Sequence, residues 1–107
     1  MGKRARRIPK RLGKKLRQIR EGLGLSQTQM WRRLELEKDV SYTVISGYEQ
    51  GTREPNLGTL LMYARVAGVT MEELIDDKLD LPATLPLYRD RSRAVGDVIK
   101  PRMRAGR

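Results

Sequence analysis

Residues 40–55, VSYTVISGYEQGTREP, decide how this chain is read. Ser41 is a residue type that caps helix N-termini, and Gly51 one that ends helices in a left-handed turn. Between them Val44, Ile45 and Tyr48 fall on one helical face, which predicts a short helix packed by that face. Tyr42, Thr43, Ser46, Gly47 and Gln50 are left facing outward. A merely solvated helix would carry lysine or glutamate there, and this face has neither. Small, hydrogen-bonding tips that allow close backbone approach are what the base edges of a DNA major groove demand. Tyr42, Thr43, Ser46 and Gly47 are therefore the expected base contacts.

Upstream, Ile8, Leu12, Leu16, Ile19 and Leu23 recur at helical spacing, predicting an amphipathic helix over about residues 9–21 whose polar side is almost wholly basic. Gly22 and Gly24 end it. Ser26 and Gln29 form a capping box for a second helix carrying Met30 and Leu34. Downstream, Leu57, Leu60, Leu61 and Ala64 mark a fourth helix closed by Gly68. Thr70 and Glu73 cap a short fifth that ends near Asp76 and Asp77. Beyond Asp80 the pattern fades, with Pro82 and Pro86 interrupting it and only a weak spacing from Tyr88 to Ile99.

The 107 residues contain no cysteine and no histidine, which excludes disulfides, thiolate chemistry, a conventional zinc site and histidine acid–base catalysis. The net charge of +10 suggests a polyanionic partner, but its distribution says more. Residues 1–20 carry ten Lys/Arg and no Asp/Glu, residues 21–86 six against eleven, and residues 87–107 seven against two. Basic charge thus flanks a mildly acidic centre. No apolar run is long enough for a membrane span or a signal peptide, so the expected location is the cytoplasm, associated with the nucleoid. Glu72, Glu73, Asp76 and Asp77 resemble a catalytic cluster on paper. Without a histidine, a cysteine or a phosphate loop beside them, no enzyme and no cofactor are expected.

Three ordered blocks, LRQIREGLGLSQ (16–27), VSYTVISGYEQGTREPN (40–56) and LGTLLMYARVAGVTMEEL (57–74), resemble the helix-turn-helix family of phage repressors of the lambda and Cro type, often called XRE. The resemblance implies an all-α, five-helix domain, lambda-repressor-like. Carried over residue by residue, it implies that Gln27, Ser41 and Arg53 hold DNA phosphates, that Tyr42, Thr43 and Gly47 lie at the bases, and that Arg20 pairs with Glu49. Two features depart from the family. Residues 35–39 lengthen its tight turn between the second and third helices, and Trp31 stands where it has alanine. The longer connection would let the helices separate enough for an indole.

The expected organisation is a basic N-terminal arm over residues 1–11, a helix-turn-helix domain over 12–80, and a linker with a basic C-terminal tail over 81–107. The arm residues Lys3, Arg4, Arg6, Arg7, Lys10 and Arg11 are expected along phosphates. The expected function is sequence-specific binding of double-stranded DNA by a small transcriptional regulator acting as a repressor. A homodimer with its surface between the fifth helix and Ile99, and a protein partner for the C-terminal tail, are the expected assemblies. Two alternatives are an adaptor on the transcription machinery or ribosome, similar to multiprotein bridging factors, and the antitoxin of a toxin pair.

Overall fold

The computed structural model describes residues 8–87, and these form five helices: α1 (Leu12–Gly22), α2 (Gln27–Arg33), α3 (Val44–Gln50), α4 (Leu57–Ala67) and α5 (Met71–Ile75). The architecture is all-α. Each boundary has a local cause. Ser26 and Gln29 close a complete capping box on α2, Thr70 and Glu73 another on α5, and the Asn56 side chain accepts from Thr59 N–H at the start of α4. Gly51 (φ 82°) and Gly68 (φ 75°) take the left-handed turn that ends α3 and α4. The helix expected from Ser41 begins as α-helix only at Val44. Ser41 starts an i→i+3 turn leading into it, with its hydroxyl accepting from Thr43 N–H at 3.3 Å.

One core joins all five helices: Leu12, Leu16 and Ile19 of α1, Met30 of α2, Val44, Ile45 and Tyr48 of α3, Leu60, Tyr63, Ala64 and Ala67 of α4, and Leu74 of α5. Two expected stripes differ at their edges. Ile8 lies half exposed outside the core, and on α4 Leu57 is 76% exposed while the side chain turned inward is Tyr63, which is fully buried. The Tyr63 hydroxyl has no hydrogen-bond partner among the described residues, and burial holds its ionisation far above the ordinary value of 10.0.

Helix α1 sits against α3 at very close range because Gly13 has no side chain. A Cβ there would stand 2.6 Å from the Glu49 carbonyl oxygen and 3.1 Å from that of Tyr48. Its first turn contains no acid, and Arg11, the residue ahead of it, makes no side-chain cap. The cap arrives from the far end of the domain. The Asp77 carboxylate accepts Lys10 N–H at 2.9 Å and Arg11 N–H at 3.0 Å. In return the Lys15 ammonium, on a residue only 2% exposed, donates to the carbonyls of Glu73 (2.7 Å) and Asp76 (2.9 Å) at the end of α5, the second of which also accepts Leu79 N–H. Arg11 adds its guanidinium to the carbonyls of Asp77 and Leu79 and to the Asp80 carboxylate. The start of α1 and the end of α5 thus cap each other. This also explains why α1 begins at Leu12 rather than near Pro9.

The boundary expected after Asp80 falls later. Leu81 is buried in the core, Leu85 packs over Gly22, and Leu87 N–H donates to the Ala67 carbonyl at 2.8 Å beside Gly68. Residues 81–87 therefore lie on the domain rather than forming a linker. Leu81 joins the core, the Leu85 side chain covers Gly22 at the end of α1, and the Leu87 backbone passes over Gly68 at the end of α4. The expected segments at 1–7 and 88–107 fall outside the described residues.

Gly13→Ala should destabilise the fold by about 1–3 kcal/mol in chemical denaturation, because the added methyl meets backbone. At an open helical site the same change would stabilise by about 0.5–1 kcal/mol, so a stabilised variant would refute the close approach. Acid probes the mutual capping of α1 and α5. The N–H groups of Lys10 and Arg11 hold the Asp77 carboxyl below its ordinary value of 3.8, and Arg11 does the same for Asp80. A folded value lowered in this way contributes stability above pH 3.8 and loses it as pH falls through the folded value. Asp77→Ala should therefore lie below the unaltered protein in melting temperature at pH 6, with the gap closing below pH 3.8.

Candidate nucleic-acid interface

The outer face of α3 is built on a single carboxylate. Glu49 projects from α3 toward α1, where Arg20 Nε meets its Oε2 at 2.6 Å and Arg20 Nη2 meets its Oε1 at 3.1 Å. The two side chains are 14% and 5% exposed. The remaining Arg20 Nη1 donates to the Leu25 carbonyl at 3.0 Å, and the Gln27 amide, at the start of α2, donates to Glu49 Oε1 at 3.2 Å. One acceptor therefore fixes α1, the turn before α2, α2 itself and α3. The forked contact pushes the Arg20 guanidinium further toward its charged form, with the Glu49 hydrogen bond the largest cause.

With that side fixed, the opposite side of the α3 region presents Ser41, Tyr42, Thr43 and Gln50 as exposed residues and Ser46 and Gly47 as half-buried ones. They are pre-arranged. The Ser41 and Thr43 hydroxyls lie 3.1 Å apart, and Gln50 Nε2 donates to the Ser46 hydroxyl at 2.9 Å. Tyr42, 53% exposed, rests edge-on against Trp31 with ring centroids 6.2 Å apart. Trp31 in turn donates its indole N–H to the Val40 carbonyl at 2.9 Å.

The lengthened connection between α2 and α3 is a folded plug rather than slack chain. Leu36 is buried, its N–H donates to the Trp31 carbonyl, and its own carbonyl accepts from Asp39 and Val40. Glu35 takes a positive φ of 61° to turn the chain there. Trp31 and Leu36 thus fill the room that the longer turn opens.

Gly47 has a second neighbour. Its carbonyl accepts the N–H groups of Thr52 (3.0 Å) and Arg53 (3.1 Å), which folds the following loop back over the helix. A Cβ at Gly47 would stand 2.5 Å from Arg53 Cγ. Beyond this loop a cleft of about 470 Å³ opens between the end of α3 and the start of α1, with Lys10, Lys14, Gln50 and Arg53 among its lining residues. Burial raises the Tyr48 phenol beneath it, while the Thr59 hydroxyl and the Arg53 charge pull the other way.

Of the other residues expected at phosphates, Gln27 borders α3 with one amide hydrogen bound to Glu49. Arg11 points the other way, into the α5 end, and is withdrawn from the expected phosphate set because its guanidinium is already spread over two carbonyls and a carboxylate. Lys3, Arg4, Arg6 and Arg7 lie outside the described residues. Three of the acidic residues that looked like a cluster have structural partners: the Glu73 carboxylate accepts Thr70 N–H in the cap of α5, Asp76 accepts Lys78 N–H, and Asp77 accepts Lys10 N–H ahead of α1. Sequence reading missed Gly13 and Lys15. Glycine within a helical stripe was the available signal for the first, and for the second a lysine one residue before the core Leu16.

The helix-turn-helix family model matches residues 16–74, more than half of the chain and spanning the Arg20–Glu49 framework. The protein belongs to this helix-turn-helix family. Among solved structures, the chain is similar to the P22 c2 repressor in complex with a synthetic operator in the presence of Tl+. The likeness has a TM-score of 0.53 at 24% identity, over 62% of this chain and 94% of that one, and it shows a shared fold. No curated protein matches the chain. Among the described residues no helix is long and apolar enough to cross a membrane. The protein is a DNA-binding helix-turn-helix regulator.

A double-mutant cycle on Arg20 and Glu49 tests the framework. Removing either partner alone should cost about 3–5 kcal/mol, since the other charge is left buried and unpaired. Removing both should cost less than the two single losses together, and simple additivity would mean that the contact carries no energy.

Proposed function

We propose that the protein represses transcription by occupying specific sites on double-stranded DNA, reading bases with Tyr42, Thr43 and Ser46. The observation that carries this reading is the uncharged, pre-arranged outer face of the α3 region, fixed from behind by Glu49. Hydroxyls and amides held in place can meet base edges without the entropy loss of ordering long flexible chains. The P22 c2 repressor, which shares the fold, is bound to an operator, and we carry that class of ligand over to this chain.

Phosphate contacts position such a domain, and base contacts specify the site. We assign the positioning role to the second amide hydrogen of Gln27, to Ser41, and to Lys10 and Lys14 beside the cleft. Lys3, Arg4, Arg6 and Arg7 add charge without reading sequence. A homodimer on a two-fold symmetric site is the assembly we propose, since two half-sites one helical turn apart match two copies of one domain.

Selection from a random duplex pool, followed by binding of the selected and random duplexes over a salt series, tests the proposal. Tyr42→Ala and Thr43→Ala should each lose about 1–3 kcal/mol of preference for the selected site and far less on random DNA. Equal losses on both would reduce these residues to phosphate contacts. Deleting residues 1–7 should lower the slope of log affinity against log salt by up to about 3–4 units, at about 0.9 per phosphate, with site preference kept. An unchanged slope would remove the arm from the interface.

A further inference from the structure

Gly47 occupies the centre of the proposed reading face, one residue after Ser46, four after Thr43 and three before Gln50, and it brings no side chain there. Its Cα is nevertheless covered. Arg53 Cγ and Cβ lie 2.5 Å and 3.1 Å from where a Cβ at Gly47 would be, so the aliphatic stem of Arg53 takes the volume a side chain at 47 would fill. That placement is held by backbone, since Thr52 N–H and Arg53 N–H both donate to the Gly47 carbonyl. From Cγ the arginine still has its exposed end, with a guanidinium, to extend from the helix surface. No lysine or arginine occurs between residues 41 and 50, so the face has no cation of its own.

We infer that Arg53 is a specificity-determining residue: draped over Gly47, it supplies the reading face with a guanidinium that recognises a guanine in the major groove. A planar fork of N–H donors matches O6 and N7 of guanine, a pairing that hydroxyls and amides on the rest of the face do not duplicate. Gly47 is then the residue that makes room, not one that touches a base. The inference rests on the proposed sequence-specific reading. It replaces the phosphate role that the family resemblance implied for Arg53.

The test uses the full chain on the selected site and on duplexes in which each base pair is changed in turn. The unaltered protein should require a G·C pair at one position. Arg53→Ala should lose discrimination at that pair by roughly 5- to 150-fold and keep it at the others. Arg53→Lys should restore it only in part, because the fork is gone. Gly47→Ala, which forces the Arg53 stem aside, should erase the same preference. If Arg53→Ala instead weakens every duplex equally and flattens the salt dependence by about one phosphate, Arg53 holds backbone and the inference is overturned. If the unaltered protein shows no base preference anywhere, the sequence-specific reading itself falls. Preference for the G·C pair that persists in Arg53→Ala overturns the guanine contact of Arg53 and leaves the reading by Tyr42, Thr43 and Ser46 standing.

Discussion

The Glu49 carboxylate is the constraint on which the arrangement of helices depends. It lies at the crossing of α1 and α3, nearly excluded from water, and such a charge is tolerated only with partners that satisfy its lone pairs. Arg20 supplies two of these bonds and Gln27 a third. The remaining arm of Arg20 reaches the Leu25 carbonyl in the turn between α1 and α2. Because its donors come from different elements, the carboxylate sets their relative positions in a way that apolar packing alone, being non-directional, would not. Gly13 is the steric condition for it. A side chain there would meet the Glu49 and Tyr48 carbonyls, so α1 could not come as close to α3.

The two ends of the domain are held by a different device with the same logic. Helix α5 is five residues long and has no glycine to close it, while α1 has no cap of its own. Isolated, neither end would be stable, since the exposed N–H and C=O groups of a short helix are a large share of its total. Lys15 and Asp77 satisfy the two sets across the interface. Burial lowers the pKa of the Lys15 ammonium, and nearby Arg11 adds to that, while Asp77, Asp76 and Asp80 oppose it. The two carbonyls are what its charged form gains in return.

These devices explain what could be read from the sequence. Helix starts and stops were legible because capping is local: Ser26 with Gln29, Thr70 with Glu73, and the glycines at 51 and 68 sit within four residues of what they terminate. Faces were legible where apolar spacing was regular, as at Val44, Ile45 and Tyr48. The reading failed where a residue's role is fixed by a distant segment. Lys15 looked like part of a basic stripe because its partners lie some sixty residues on. Leu57 looked like core because spacing cannot say which edge of a stripe has a neighbour. Residues 81–87 looked like linker because prolines interrupt them and their counterparts are distant glycines, Gly22 under the Leu85 side chain and Gly68 under the Leu87 backbone.

Charge divides in the same way, and composition is a poor guide to what a polyanion meets. Ten of the first twenty residues are Lys or Arg, yet within the described part of that run several are committed inside the protein. Arg20 is consumed by Glu49, Lys15 by carbonyls at the end of α5, and Arg11 by the Asp77 and Asp80 region, while Arg17 stays on the exposed surface of α1 and pairs there with Glu21 at 2.9 Å. Lys10 and Lys14 line the cleft that borders α3. A stripe that reads as uniformly basic therefore divides by helical position: one side locks α1 to α3 and α5, and the side toward the cleft presents charge outward. The helical periodicity that separates apolar from polar residues in α1 also separates cations that build the fold from cations that can face a ligand.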